Sequence, residues 1–201
     1  LIPFIKNFSI SYKSGFELFL IQPSTLVHSP LFYLIAGFLL KITQNLLIVK
    51  ILYIIISCLI PYIFYLIIKT KYKIQNDYIF YFSLLIFLSP YFRSSAIWLL
   101  NENLSLLFFS LSILFFLKIN DQKNKISNYY FCFIFLILST YIRYYYCVFS
   151  IYYLFFFYKN LDFKNFLKLS LFSFFLSIPA FYYLYYVVTK FNFLGTISTF
   201  G

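Results

Sequence analysis

The chain has 201 residues, of which 63% are hydrophobic, 27% aromatic and only 10% charged, and it carries a formal net charge of +11. With a mean hydropathy of +0.88, no water-soluble core of this size could hide so much apolar surface, so lipid must be the solvent for much of it. The positive charge does not signal nucleic acid, because the lysines gather at the ends of apolar runs instead of forming a basic stripe; anionic head groups and membrane topology account for them.

Inside hydrocarbon every backbone amide needs an internal partner, which leaves helices or a closed barrel. Long apolar runs without period-two alternation choose helices. The expected fold is therefore all-α, a polytopic transmembrane helical bundle of about six spans plus an interfacial helix. The bias toward Phe, Ile, Tyr, Lys and Asn is spread along the whole sequence and reads as genome composition rather than mechanism. The lack of any Met and an end just after a span give the expectation of a fragment of a larger membrane protein, and no signal peptide is recognisable at Leu1.

Residues 1–45 are mixed in polarity, with Lys6, Lys13, Glu17, Gln22 and His28 punctuated by Pro3, Gly15, Pro23 and Pro30. They are expected as an outer-face loop segment, closing with a short interfacial helix that Pro30 begins, since its apolar run stops at Lys41 before the roughly 20 residues a span needs. The bundle follows over residues 46–189. Leu46 to Ile68 makes a full span with Pro61 inside it, followed by Lys69, Lys71 and Lys73. Tyr78 to about Phe92 is the next expected span, and about Trp98 to Leu117 returns.

Tyr129 to Tyr158 is one apolar block with Arg143 near its middle. It is too long for one crossing, and the economical solution is two short spans with Arg143 at their junction. Leu169 to Thr189, with Pro179, is the last span, and residues 190–201 start a further outer loop. Alternation puts the loops at 69–77, 118–128 and 159–168 on one face with nine lysines, cytoplasmic by the positive-inside rule. The turn from Arg93 to Glu102, Arg143 and the first 45 residues fall on the other.

The outer face is also where polar residues stand at positions that membrane solvation disfavours, and a charge near hydrocarbon costs on the order of 2.5–3.5 kcal/mol. Arg143 has Tyr141, Tyr144, Tyr145 and Tyr146 as neighbours, hydroxyls and ring faces suited to a phosphate head group; the plainer reading is a snorkelling or turn arginine. The turn SPYFRSSAIWLLNEN brings Arg93, Trp98, Asn101 and Glu102. There Glu102 is a candidate to accept a sugar hydroxyl or support a base and Arg93 to meet an anion, against a plainer reading of an interfacial turn with Trp98 in the aromatic belt and Glu102 favouring a helix N-terminus. His28 is the sole histidine. With no Cys, Asp or second His at ligand spacing, no metal site is expected, and four glycines are too few for a soluble-type phosphate loop. Cys58, Cys132 and Cys147 stand apart in apolar stretches as small apolar residues.

Taken in order, these features resemble the GT-C glycosyltransferases that use polyprenyl-phosphate sugars, including the protein mannosyltransferase and aminoarabinose transferase types. HSPLFY at His28–Tyr33 is similar to the H-P-P-L-Y-Y helix start that closes their long outer loop. Pro90, Arg93, Ser94 and Glu102 resemble their P-x-x-x-R-S turn with its following acid, and Thr140 to Tyr145 with Arg143 their T-R-Y-Y element. The resemblance covers nearly the whole chain, though each motif is short, and its specificity lies in order and spacing.

It implies an inverting enzyme, multi-pass in a bacterial inner membrane with its site toward the periplasm. Such an enzyme passes a sugar from a polyprenyl-phosphate donor to a lipid, glycan or protein acceptor, with no cofactor and no metal. Arg143, with Arg93 or His28, would stabilise the departing lipid phosphate; Tyr33 and Trp98 would line the groove, with Asn101 and Tyr145 beside the substrate. The family's catalytic aspartate, shortly after its first span, has no match here, and Glu17 comes too late to take that role. The competing readings are a transporter or flippase of lipid-linked glycans, which calls for broken helices and internal symmetry, and a purely structural membrane subunit.

Overall fold

The computed structural model describes residues 2–21, 30–73, 78–121 and 125–191, and among them every regular element is a helix. Among the described residues three helices are long and apolar enough to cross a membrane: Leu46–Tyr72, Asn101–Ile119 and Phe163–Tyr183.

The described part of residues 1–45 is more structured than a loop. Helices α1 (Ile2–Ile10) and α2 (Tyr12–Ile21) precede α3 (Leu31–Thr43), and α1 packs against both. Phe8 is the wedge. It is almost fully buried, and a methyl group added at Gly15 would lie 2.3 Å from its ring, while one at Gly37 would lie 2.6 Å from its Cβ and 3.1 Å from its carbonyl carbon. The two glycines thus let three short helices approach closely enough to bury one aromatic side chain. Helix α3 begins as the proline in front of it leads one to expect, with Pro30 as its N-cap, and ends at Gln44 in the left-handed region (φ 52°).

Helix α4 (Leu46–Tyr72) is the long span expected from the sequence. Asn45 caps it, its side chain accepting from the Leu47 N–H at 2.9 Å, and Lys69 and Lys71 occupy the last turn, where the helix dipole favours cations. Exposed Leu47, Ile51, Ile55, Leu59 and Tyr62 run along one side at spacings of three and four, an apolar stripe compatible with a helix that faces lipid.

The span expected over Tyr78 to Phe92 is broken. Helix α5 (Tyr78–Ser83) gives way to a 3-10 turn over 84–88, and a separate α6 (Pro90–Ile97) follows. The cause is Pro90: it pushes Ser89 to extended backbone (ψ 118°), and the Ser89 hydroxyl then accepts from the Phe92 N–H at 3.3 Å to start a new helix. The return does not begin at Trp98 either. Trp98 closes α6, Leu99 turns through φ 56°, and α7 starts at Asn101.

Helices α7 (Asn101–Asp121) and α8 (Ile126–Ile142) pack antiparallel over their length. The Ser112 hydroxyl donates to the Cys132 carbonyl at 2.9 Å and the Ser139 hydroxyl to the Ser105 carbonyl at 3.0 Å. The long apolar block divides at Arg143, as its length demands: after α8 come extended Arg143, a 3-10 turn over 144–147 and α9 (Val148–Asn160), which turns back so that Tyr153 and Phe157 meet Cys132, Tyr129 and Phe133. Helix α10 (Phe163–Phe191) then runs alongside α8, from Tyr130 against Phe172 to the Tyr141 hydroxyl donating to the Leu176 carbonyl at 2.5 Å, and Pro179 does not interrupt it. Among the described residues the buried apolar side chains form two clusters: one from α1, α3, α4, Phe92 of α6 and α7 as far as Leu114, with Ile142 at the end of α8, and the other from α8 and α9 with Tyr146 between them, Ile119 of α7 and Leu169 of α10.

Candidate functional site

The first turn of α7 and the end of α8 meet at one end of the bundle. One hydrogen bond crosses that meeting, from the hydroxyl of Ser139, one turn before Arg143, to the Ser105 carbonyl, while the Ser105 hydroxyl donates within α7 to the Glu102 carbonyl at 2.7 Å. Because α8 stops at Ile142 and Arg143 is extended (φ −137°, ψ 105°), the arginine side chain leaves the helix direction and pairs with the Glu102 carboxylate. Their side chains are 17% and 16% exposed, so the pair is largely withdrawn from solvent. A charged pair there is maintained at a desolvation cost, and charges retained under such a cost are candidates for function.

Around the pair the structure gathers some of the expected residues and leaves others apart. Tyr33, on the first turn of α3, is almost completely buried; burial pushes its hydroxyl up to about 12, with the nearby Arg143 guanidinium acting in the opposite direction. Asn101 is buried beside Glu102, and its Nδ2 has no hydrogen-bond partner among the described residues; the same is true of the second Glu102 oxygen, Oε2. One unmet donor and one unmet acceptor therefore lie on the same helical turn as the ion pair. Tyr145 is exposed, its ring against Tyr146, which lies within electrostatic reach of Arg143.

Arg93 is exposed on α6, Trp98 is 66% exposed just beyond it, and among the described residues no hydrogen bond or ion pair ties either side chain to Glu102 or Arg143. Their setting fits the interfacial reading of that turn. His28 lies outside the described residues. No cluster of three metal-ligating side chains occurs among the described residues.

No family model, curated protein or solved structure matches this chain. The chemistry of the site is therefore read from its own geometry.

A polar network that the sequence did not reveal holds the turn in front of α7. The Tyr53 hydroxyl of α4 donates to the Leu100 carbonyl and accepts from the Leu104 N–H at 3.3 Å. The Asn103 amide donates to Ser57 Oγ at 3.2 Å and to the Phe92 carbonyl at 3.0 Å, while its backbone N–H meets Ser95 Oγ at 3.3 Å. All of these side chains are buried. They satisfy groups left open at the start of α7 and pin α4, α6 and α7 together, so that Glu102 is held by a braced turn. The one signal for it in the sequence is Asn103 directly after Glu102, with Tyr53 and Ser57 four residues apart on an otherwise apolar span.

Proposed function

We propose that this chain belongs to a membrane glycosyltransferase that moves a sugar from a polyprenyl-phosphate donor to a lipid, glycan or protein acceptor on the non-cytoplasmic face. The observation that carries the reading is the largely buried Glu102–Arg143 pair at the junction of two short helices, with Glu102 Oε2 and Asn101 Nδ2 left without hydrogen-bond partners among the described residues. A bare anion site would not need a spare carboxylate oxygen. A sugar does, because its hydroxyls both donate and accept. Arg143 then serves as the cation for the donor's phosphate, sharing its fork of donors between that phosphate and Glu102.

In the transfer, the acceptor oxygen bonds to the anomeric carbon as the bond from that carbon to the phosphate oxygen breaks. The electron pair leaves with the polyprenyl phosphate, whose charge Arg143 stabilises, and a carboxylate takes the acceptor's proton. Glu102 is the acid this chain offers for that role or for holding the sugar. Six crossings, with the basic loops inward and the pair facing the periplasm of a bacterial inner membrane, complete the proposal. The alternating directions of α4, the broken 78–97 segment, α7, α8, α9 and α10 support it, as does the gathering of Lys69, Lys71, Lys118, Lys125, Lys159 and Lys164 at one set of ends.

The test uses the full open-reading-frame product in nanodiscs. Polyprenyl phosphate should bind at least roughly tenfold tighter than the uncharged polyprenol, with Arg143→Ala removing the difference, and a panel of polyprenyl-phosphate sugars should yield free polyprenyl phosphate only with Arg143 intact. Equal binding of phosphate and alcohol would overturn the reading. A second reading, a flippase for lipid-linked glycans, is favoured by the two interrupted stretches 78–97 and 126–160; it would carry labelled lipid across a proteoliposome membrane without cleaving it.

A further inference from the structure

A cavity of about 470 Å³ opens between α1 and the junction of α3 with α4, lined by Lys6, Ser9, Leu40, Lys41, Gln44 and Leu46. We infer that it binds the phosphate head group of an anionic phospholipid. The lining holds two ammonium groups and no carboxylate, and among the described residues neither lysine is engaged in an ion pair. Lys41 is steadied from the side of α2, its Nζ standing 5.8 Å from the centre of the Tyr12 ring. Ser9 donates its hydroxyl hydrogen to the Lys6 carbonyl at 2.6 Å, which ties that part of the wall to α1. Gln44 contributes an amide from a left-handed backbone, a conformation that glycine adopts without strain and glutamine does not. The donors thus outnumber the acceptors, and the net charge suits a singly charged phosphate diester.

Position distinguishes a lipid from a free anion. The cavity lies where the 27-residue α4 begins, and so at the level where a spanning helix leaves the head groups for hydrocarbon. Immediately beside it the surface is apolar: Ile42 follows Lys41 and is 64% exposed, and Leu47 follows Leu46 and is 62% exposed. From Leu47 the bare stripe of α4 continues to Tyr62, about 22 Å at 1.5 Å per residue, enough to accompany an acyl chain through one leaflet of a core roughly 30 Å thick. Two cations at the top of an exposed apolar track match a phospholipid and not a soluble phosphate. The site is independent of the sugar-transfer reading, since it uses none of the residues around Arg143.

Native mass spectrometry of the protein released from nanodiscs of phosphatidylcholine doped with phosphatidylglycerol tests this. Wild-type protein should retain one phosphatidylglycerol in preference to phosphatidylcholine, and the double variant Lys6→Ala, Lys41→Ala should lose that preference by at least roughly tenfold. Changing both lysines to arginine should preserve it, as should Lys159→Ala with Lys164→Ala at the other end of the bundle. If the double alanine variant fails to fold, Gln44→Glu sets a negative charge in the same wall and should expel the lipid equally. Retention unchanged in Lys6→Ala, Lys41→Ala or in Gln44→Glu overturns the inference, as does displacement of the lipid by millimolar inorganic phosphate, which would make the cavity a site for free anions.

Discussion

Replacing either member of the Glu102–Arg143 pair should destabilise the protein, and replacing both should cost far less than the sum. At about 4 Å, unit charges attract by about 4 kcal/mol at an effective dielectric constant of about 20, but much of that offsets the desolvation of two groups that are only 16–17% exposed. Removing one partner leaves the other charge largely buried and alone, for an expected loss of about 3 kcal/mol in each single variant. The double variant Glu102→Ala, Arg143→Ala has no stranded charge, so the coupling energy should come to about 2–3 kcal/mol. Equilibrium unfolding in mixed micelles, followed by far-ultraviolet circular dichroism for the four proteins of the cycle, measures it. Losses that add to within about 0.5 kcal/mol would mean that the two side chains do not depend on one another, and the physical basis for a built site at this junction would be gone.

Three further outcomes are expected. Gly15→Ala and Gly37→Ala should each destabilise by about 1–3 kcal/mol, but Phe8→Ala should relieve only the first, because the clash at Gly15 is with the Phe8 ring and the one at Gly37 is with its Cβ and backbone; thermal melts of the paired variants check this. Gln44→Gly should raise stability by up to about 1 kcal/mol by removing the cost of a left-handed glutamine, read from the same melts in lipid-free detergent. A small maleimide should modify exposed Cys58 and Cys147 in detergent but spare buried Cys132 until denaturant is added, and in sealed vesicles an impermeant maleimide should reach Cys147 only from the side on which Arg143 opens. Modification of Cys147 from the lysine-rich side would reverse the proposed orientation.

The features legible in the sequence are those set by local chemistry. The start of α4 at Leu46 and the lysines at its far end were legible, though the helix runs on from Ile68 through Lys69 and Lys71 to Tyr72, and the division of 126–160 follows from an apolar block too long for one crossing with a cation in its middle. The break at 84–90 was within view, since Pro90 stands there, but the apolar run in front of it, continued by Tyr91 and Phe92, masked the effect of the proline on Ser89. The helices of the first 21 residues were hidden by mixed polarity and depend on Phe8 meeting two glycines, one of them distant in sequence. In the candidate site, Glu102, Arg143 and Asn101 were legible as polar residues at unfavourable depth. Their pairing was not, nor was the brace of Tyr53, Ser57, Ser95 and Asn103, because such contacts span about fifty residues and arise only when three helices pack.

The two helices on either side of Arg143 are short, 17 and 13 residues, or about 25 and 20 Å at 1.5 Å per residue. In the six-crossing arrangement proposed above, neither matches a hydrocarbon layer of about 30 Å, and thinning of the bilayer around the short elements is one way to meet such a mismatch. The membrane should therefore be pinched beside this junction. A dimple there shortens the distance that any charged carrier must be drawn out of its own leaflet to reach the guanidinium, and it would favour residence of the protein in thinner membranes.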